Sequence, residues 1–215
     1  MSGFARLHRE LGKAGMTVIG AFEPDEGEIG DARAVVLIGN AGSAMWRRFD
    51  PRPHDPRDHT IDCWTRDVLT PLASKAGADI AFPFDGPPYH PFVSWAFRTG
   101  RCHRSPLGMA IHDRFGLWFA LRAAFLFDEE LELPAGPDAS PCETCADKPC
   151  LTACPVSAFD GGNYDHEACR KHVRTPPNDC ASAGCRARHA CPTGREFVYE
   201  AAHAAYHMRS FAQNG

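Results

Sequence analysis

CETCADKPCLTACP, residues 142–155, sets four cysteines in one short loop and closes on a proline. Its gaps read C-x2-C-x4-C-x3-C-P from Cys142 through Cys145 and Cys150 to Cys154 and Pro155. A cubane iron–sulfur cluster needs four thiolates at the corners of one small object, and a looping chain supplies them when few residues separate successive ligands. Bacterial two-cluster ferredoxins use C-x2-C-x2-C-x3-C-P, with the fourth cysteine crossing to the other cluster. Only the middle gap differs here.

Four more cysteines follow, Cys169, Cys180, Cys185 and Cys191, the last again followed by a proline, Pro192. Eight thiols are enough for two four-iron clusters. Under the crossover rule Cys142, Cys145 and Cys150 take Cys191 as fourth ligand, and Cys154 joins Cys169, Cys180 and Cys185. The two remaining cysteines, Cys63 and Cys102, lie far upstream.

Two other uses of these thiols stay open at this point. Zinc favours paired C-x2-C knuckles or mixed Cys/His sets; only Cys142 and Cys145 have that form, and His166, His172 or His189 could complete such a site. A zinc-stabilised interaction module is therefore the alternative. Disulfides need an oxidising compartment, which nothing in the chain indicates. Charge favours clusters: an iron–sulfur centre with four thiolates is a net anion that burial obliges the protein to compensate. Between residues 170 and 195 the chain carries Arg170, Lys171, Arg174, Arg186, Arg188 and Arg195 against Asp179 alone, although its overall net charge is −4.

At 215 residues the chain can build a real core without covalent staples. Its N-terminus has no uninterrupted apolar run, and no segment is long and apolar enough to span a bilayer. A soluble, cytoplasmic protein with no membrane association is expected. Residues 2–15 read as an amphipathic helix with Ser2 as N-cap and Phe4, Leu7 and Leu11 on one face. TVIGAF (17–22) and AVVLIG (34–39) read as buried strands. FDPRPHDPRDH (49–59) reads as a loop. Thr60 then caps a helix with Ile61, Trp64, Val68 and Leu72 on one face, which Pro71 should kink or shorten. DIAFPF (79–84) is a short strand and DGPPYHPF (85–92) a rigid loop. LGMAIH (107–112) and GLWFALRAAFLF (116–127) read as adjacent strands around the turn DRFG.

The expected fold class is therefore α/β (α+β): a layered N-terminal domain over residues 1–134, then a loop-rich, two-cluster ferredoxin-like module over 135–215. Thr193 and Glu196 form a capping-box pair that should open a closing helix with Phe197, Ala201, Ala204, Met208 and Phe211 on one face, packing the module against the α/β domain. His203 and His207, one turn apart, read as polar-face residues. Trp95, Phe97, Trp118 and Phe119 read as core.

The cysteine run ending in C-P, the lone cysteine after DHEAC (165–169), and three cysteines ending in a second C-P resemble epoxyqueuosine reductase and the corrinoid-dependent reductive dehalogenases. SPLGMAIHDRFGLWFALRAAFLFDEELELP (105–134) is similar to the segment that precedes the clusters in those enzymes and helps enclose their cobalamin. The resemblance covers about residues 105–195. It implies a cobalamin-binding α/β domain fed electrons by two four-iron clusters.

The chain departs from that pattern in three ways. Three cysteine gaps are longer, the region before the clusters is short for a corrin domain, and no counterpart of the C-terminal repeat domain that contacts tRNA is expected. Where the reductase carries a proton-donating acid before LG, this chain reads FRTGRCHRSPLG (97–108) and offers Cys102 and His103, which read as packed or solvated residues. Epoxyqueuosine reduction is thus not expected. The function expected is single-electron transfer through two four-iron clusters to a redox partner protein, or to a cofactor or small-molecule substrate in the α/β domain. A corrinoid-dependent reductase is the alternative within the oxidoreductases. Cobalamin and nucleic acid are not expected, and the catalytic residues are unknown.

Overall fold

The computed structural model describes residues 3–49, 60–132, 136–137, 139–160, 162–175 and 177–213, with side chains from Arg6 onward. The elements run α1 (Gly3–Lys13), β1 (Thr17–Phe22), β2 (Ala34–Ala41), α2 (Ile61–Ala76), β3 (Asp79–Ala81), α3 (Phe92–Arg98), β4 (Cys102–Arg104), β5 (Ala110–His112) and β6 (Phe119–Phe127). The cysteine-rich stretch then holds α4 (Pro149–Thr152), α5 (His166–Val173), α6 (Asp179–Ala183) and α7 (Arg186–His189), and α8 (Ala201–Gln213) closes the chain. Ser2, the side chain of Phe4 and most of the 49–59 loop lie outside the described residues.

The fold is a mixture of helix and sheet. Two compact units form, one from residues 1–102 and 119–138, the other from 103–118 and 139–215. The division expected near residue 134 cuts the chain once. The units instead interleave, because the hairpin region 103–118 folds with the cysteines.

In the first unit a four-stranded sheet has the order β1-β2-β6-β3, every neighbouring pair antiparallel. β2 is buried on both faces from Ala34 to Asn40, which is why its sequence is a continuous apolar run rather than an alternating one. The β2–β6 register slips between Ile38 and Gly39. A Cβ on Gly39 would lie 2.1 Å from the Ala120 carbonyl oxygen, so only glycine allows β6 this close.

Thr60 caps α2 as expected, its Oγ1 accepting the Cys63 N–H at 3.3 Å. Pro71 does not end the helix, which continues to Ala76. The buried face is Ile61, Thr65, Leu69 and Ala73; Trp64, Val68 and Leu72 are half-buried beside it. The stripe is rotated because small Thr65 and Ala73 allow closer packing than the bulkier residues. α3 was not legible beside the prolines of DGPPYHPF.

The second unit contains the β4–β5 hairpin. Here the strand expectation fails in pairing: β5 pairs with β4, whereas β6 lies in the other sheet between β2 and β3. The turn between them closes on itself through reciprocal His112 and Gly116 backbone hydrogen bonds of 2.9 and 3.0 Å, which divert the chain. The capping box also fails. Residues 195–197 form one 3-10 turn entered through Gly194 without a side-chain cap, and α8 starts at Ala201. Among the described residues no helix is long and apolar enough to cross a membrane.

Candidate metal centre

Six of the eight clustered cysteines sit on or beside helices of four to eight residues, too short to be stable alone, and Cys142 and Cys145 lie in the turn segment before α4. Side-chain caps and turns hold them. Cys142 donates its N–H to Ser140 Oγ at 3.2 Å. Pro149 starts α4, which carries Cys150, and Cys154 follows it. Asp165 caps α5, accepting the Ala168 N–H at 2.9 Å, one residue before Cys169. Asn178 caps α6, accepting the Ala181 N–H at 2.7 Å, so Cys180 lies in the first turn. Cys185 precedes α7 and Cys191 follows it.

The sulfurs fall into two electrostatic neighbourhoods. Burial pushes the Cys142 thiol up; the Ser140 hydroxyl and Lys148 act the other way, and Cys191 and Cys145 press in the same direction as burial. Cys150 is raised by burial and then by Cys191, Cys142 and Cys145. The second neighbourhood joins Cys169, raised by burial and by Cys154 and Cys180, to Cys185, raised by burial and by Cys180 and Cys169. Tyr164 senses Cys169, Cys185 and Cys154 together, and with burial they push its hydroxyl far up. Raised values mean that the bare thiols prefer to stay neutral. A bound cation or metal centre is what would convert such groups to thiolates.

An apolar cluster packs against cysteines of both groups. Leu107, Ile111, Leu117 and Ala187 are buried against Cys150 and Cys191, with Cys142, Cys154, Cys185, Met109 and Leu151 packed at the margin. The hairpin region supplies four of those side chains, Leu107, Met109, Ile111 and Leu117, and is pinned at two points. Gly116, at φ +57°, lies so close to Thr193 that a Cβ there would sit 2.0 Å from its carbonyl oxygen. Arg188, on α7 between Cys185 and Cys191, donates Nε–H to the Leu117 carbonyl at 2.8 Å and Nη2–H to the same oxygen. Its guanidinium covers the rings of Trp118 at 4.5 Å and Tyr199 at 4.6 Å.

The second quartet has polar company. The Ala158 N–H donates to Cys154 Sγ at 3.4 Å, and the Tyr164 hydroxyl favours the Cys169 thiolate, although burial outweighs it and raises that thiol. The Ala187 and Arg188 N–H groups favour the Cys185 thiolate. Arg170 lends positive charge to Cys169, and its buried Nε has no hydrogen-bond partner. An unpaired buried donor beside Cys169 fits an anionic group there. Tyr164 was not legible as a site residue; its place just before the DHEAC cap is the only sequence signal.

The remaining candidates are placed apart from these quartets in role. Cys102 is buried and Cys63 half-buried. His103 has a buried Nε2 without a hydrogen-bond partner. His166 is exposed and His172 half-buried. His189 is edge-on to Trp118 at 4.8 Å, with Nε2 3.0 Å from the Ala183 carbonyl oxygen. His203 and His207 are not polar-face residues: His203 is fully buried and stacked on Tyr199, and its Nε2 lies 3.1 Å from Nε2 of His207. Trp95 and Trp118 are buried as expected, Phe97 and Phe119 only in part. Among the described residues, no three His, Cys, Asp or Glu side chains are grouped as a single metal ion requires. In a four-iron cube each thiolate binds a different iron, so its sulfurs need not meet at one point.

No protein family's model matches the chain, and no curated protein does. Solved structures do. Epoxyqueuosine reductase from Streptococcus thermophilus is 15% identical, with a TM-score of 0.51 over 91% of this chain and 67% of that one. The Bacillus subtilis enzyme, solved with its catalytic loop swung out of the active site, is 15% identical, with a TM-score of 0.50 over 93% and 68%. An epoxyqueuosine reductase bound to a modified tRNA stem loop is 17% identical, with a TM-score of 0.52 over 91% and 66%. The chain spans about two thirds of the length of these proteins. The resemblance drawn from residues 105–195 thus extends to most of the chain: this protein has the fold of epoxyqueuosine reductase.

Proposed function

We infer that the chain is an iron–sulfur redox protein holding two four-iron clusters, one on Cys142, Cys145, Cys150 and Cys191 and one on Cys154, Cys169, Cys180 and Cys185. The observation that carries this reading is the arrangement of the clustered cysteines in two groups of interacting sulfurs, in which burial raises the Cys142, Cys150, Cys169 and Cys185 thiols, in a chain with that fold. Bound clusters supply one-electron transfer.

The chain's own residues do the rest. Eight cysteines ionise to take iron. Leu107, Ile111 and Leu117 keep water from the first quartet, while backbone N–H groups, the Tyr164 hydroxyl and Arg170 compensate charge at the second. The module is proposed as ferredoxin-like in ligand pattern.

Protein purified and reconstituted without oxygen should be brown, carry about eight irons per chain in the two-cluster scheme, and bleach on reduction. Cys145→Ala and Cys180→Ala should each lose about half of that iron. Stoichiometric zinc in a colourless preparation refutes the reading and leaves the zinc-stabilised module.

A second reading, favoured by the fold likeness, is a reductase that passes those electrons to a corrinoid. Cobalamin titrated into pure protein should then change its spectrum. Because one similar structure holds a tRNA stem loop, nucleic acid becomes a candidate substrate, contrary to the sequence expectation; a gel-shift with a tRNA anticodon stem loop tests it.

A further inference from the structure

His203 and His207 lie one turn apart on α8, outside the cysteine groups, and their side chains meet. His203 is fully buried and His207 half-buried, and Nε2 of one lies 3.1 Å from Nε2 of the other. Helical residues four apart sit about 5–6 Å apart at Cβ. That spacing brings the rings near without turning these two nitrogens to face each other. Neighbouring rings set the orientation. His203 stacks on Tyr199 with centroids 4.0 Å apart and planes 20° from parallel, and Tyr206 stands edge-on to His207 at 5.6 Å.

The helix that carries the pair is itself held. The Ala204 N–H donates to the Glu200 carbonyl at 2.9 Å. Ala204 also packs close to Gly184, just past α6: a Cβ on Gly184, at φ +102°, would lie 2.9 Å from the Ala204 Cβ. Tyr199, Trp118 and Ala204 form one buried cluster, so the ring on which His203 stacks is fixed as well.

Two nitrogens each about 2.0–2.1 Å from a tetrahedral zinc ion are about 3.3–3.4 Å from each other. The His203–His207 separation falls just short of that span, and a small outward turn of the half-buried His207 ring admits the ion. A His pair at i and i+4 is also the spacing that helical zinc sites use. A single shared proton would join the same two nitrogens, and zinc uptake separates the two cases. Among the described residues no third His, Cys, Asp or Glu joins the pair, so the protein supplies two ligands and water the rest.

We propose that His203 and His207 form a binding site for one divalent transition-metal ion of the kind that favours imidazole, such as zinc, nickel or copper. The two Nε2 atoms hold it, and with only two protein ligands it exchanges readily. Its binding ties the first two turns of α8 together and fixes the Tyr199 stack, over whose ring the Arg188 guanidinium lies at 4.6 Å. The site uses none of the clustered cysteines and does not rest on the two-cluster reading.

The probe is zinc alone. Full-length protein, loaded with iron and sulfide without oxygen, is dialysed to equilibrium against micromolar zinc, and zinc and iron per chain are measured on each sample. At equal iron content wild type should hold about one zinc per chain more than His207→Gln. Glutamine keeps a polar side chain at this half-buried position but offers no imidazole nitrogen. Zinc should also raise the thermal midpoint of wild type and leave that of His207→Gln unmoved, since an ion that binds only the folded state stabilises it.

Equal zinc uptake by wild type and His207→Gln overturns the inference and leaves a hydrogen bond between the rings. So does a zinc-induced rise in midpoint that is the same in both. Wild-type protein that takes up no iron and sulfide overturns the two-cluster reading instead. Both proteins then carry the same open cysteines, and the zinc difference between them still decides whether the histidines bind the ion.

Discussion

Replacing Arg188 with methionine should destabilise the cysteine-bearing unit far more than a surface substitution would. Methionine keeps the aliphatic stem but removes the guanidinium that donates twice to the Leu117 carbonyl and covers Trp118 and Tyr199. A hydrogen bond to a charged group contributes about 1.5–3 kcal/mol, and a partly exposed cation over an aromatic face about 0.5–1 kcal/mol. Taking one hydrogen bond and the two ring contacts at the low end of each range, because the side chain is only half-buried, the loss is about 2.5 kcal/mol. For a chain of 215 residues 1 kcal/mol moves the melting midpoint by about 2–4 °C, so a fall of about 5–10 °C is expected.

The assay is anaerobic thermal unfolding followed by tryptophan fluorescence, at matched iron content for variant and wild type. Arg188→Lys should fall between the two, since it keeps a cation near the rings but cannot reproduce the paired donation to Leu117. A midpoint for Arg188→Met within about 2 °C of wild type, the range of an unremarkable surface change, would show that the turn carrying Leu117 is held by apolar packing alone.

Two further outcomes follow from the backbone and from the first unit. Gly116→Ala places a methyl 2.0 Å from the Thr193 carbonyl oxygen at a φ of +57°; it should cost more than the roughly 1 kcal/mol of a simple left-handed strain and lower iron retention, measured as iron lost on dialysis, with retention equal to wild type refuting the contact. Glu28 accepts from both sides: Arg98 Nη1 lies 2.6 Å from each of its oxygens, and the Asp25 N–H donates at 2.9 Å, so its carboxyl is held below the usual range, chiefly by Arg98. A depressed folded value means stability that is present above the unfolded pKa and lost as pH falls through the folded one. Glu28→Gln should therefore lower the urea midpoint at pH 7 and converge with wild type in strong acid; a gap that stays constant down to pH 3 contradicts this.

The candidate site was legible in the sequence to an unusual degree because its chemistry is written in spacing. Short gaps between cysteines restrict what the chain can do with them, and the C-P endings mark where each run stops, so the quartets could be drawn before any coordinates existed. Strands β1 and β2 were equally plain, since a strand buried on both faces is an uninterrupted apolar run. Other features depended on partners remote in sequence. GLWFALRAAFLF reads as a strand, but nothing in it says that β2 and β3 are its neighbours instead of β5. The face that α2 buries was decided by where small Thr65 and Ala73 admit close packing, and the burial of His203 by a ring stack with Tyr199.

The sequence by itself determined the thiol inventory and the central strands, because these follow from covalent spacing and local apolar pattern. Only the tertiary structure decided that residues 103–118 fold with the cysteines, that Arg188 fastens Leu117 across a long sequence gap, and that Tyr164 reaches Cys169. Those outcomes hinge on a carbonyl or a sulfur meeting a donor through space, and a linear pattern carries no record of which distant groups will meet.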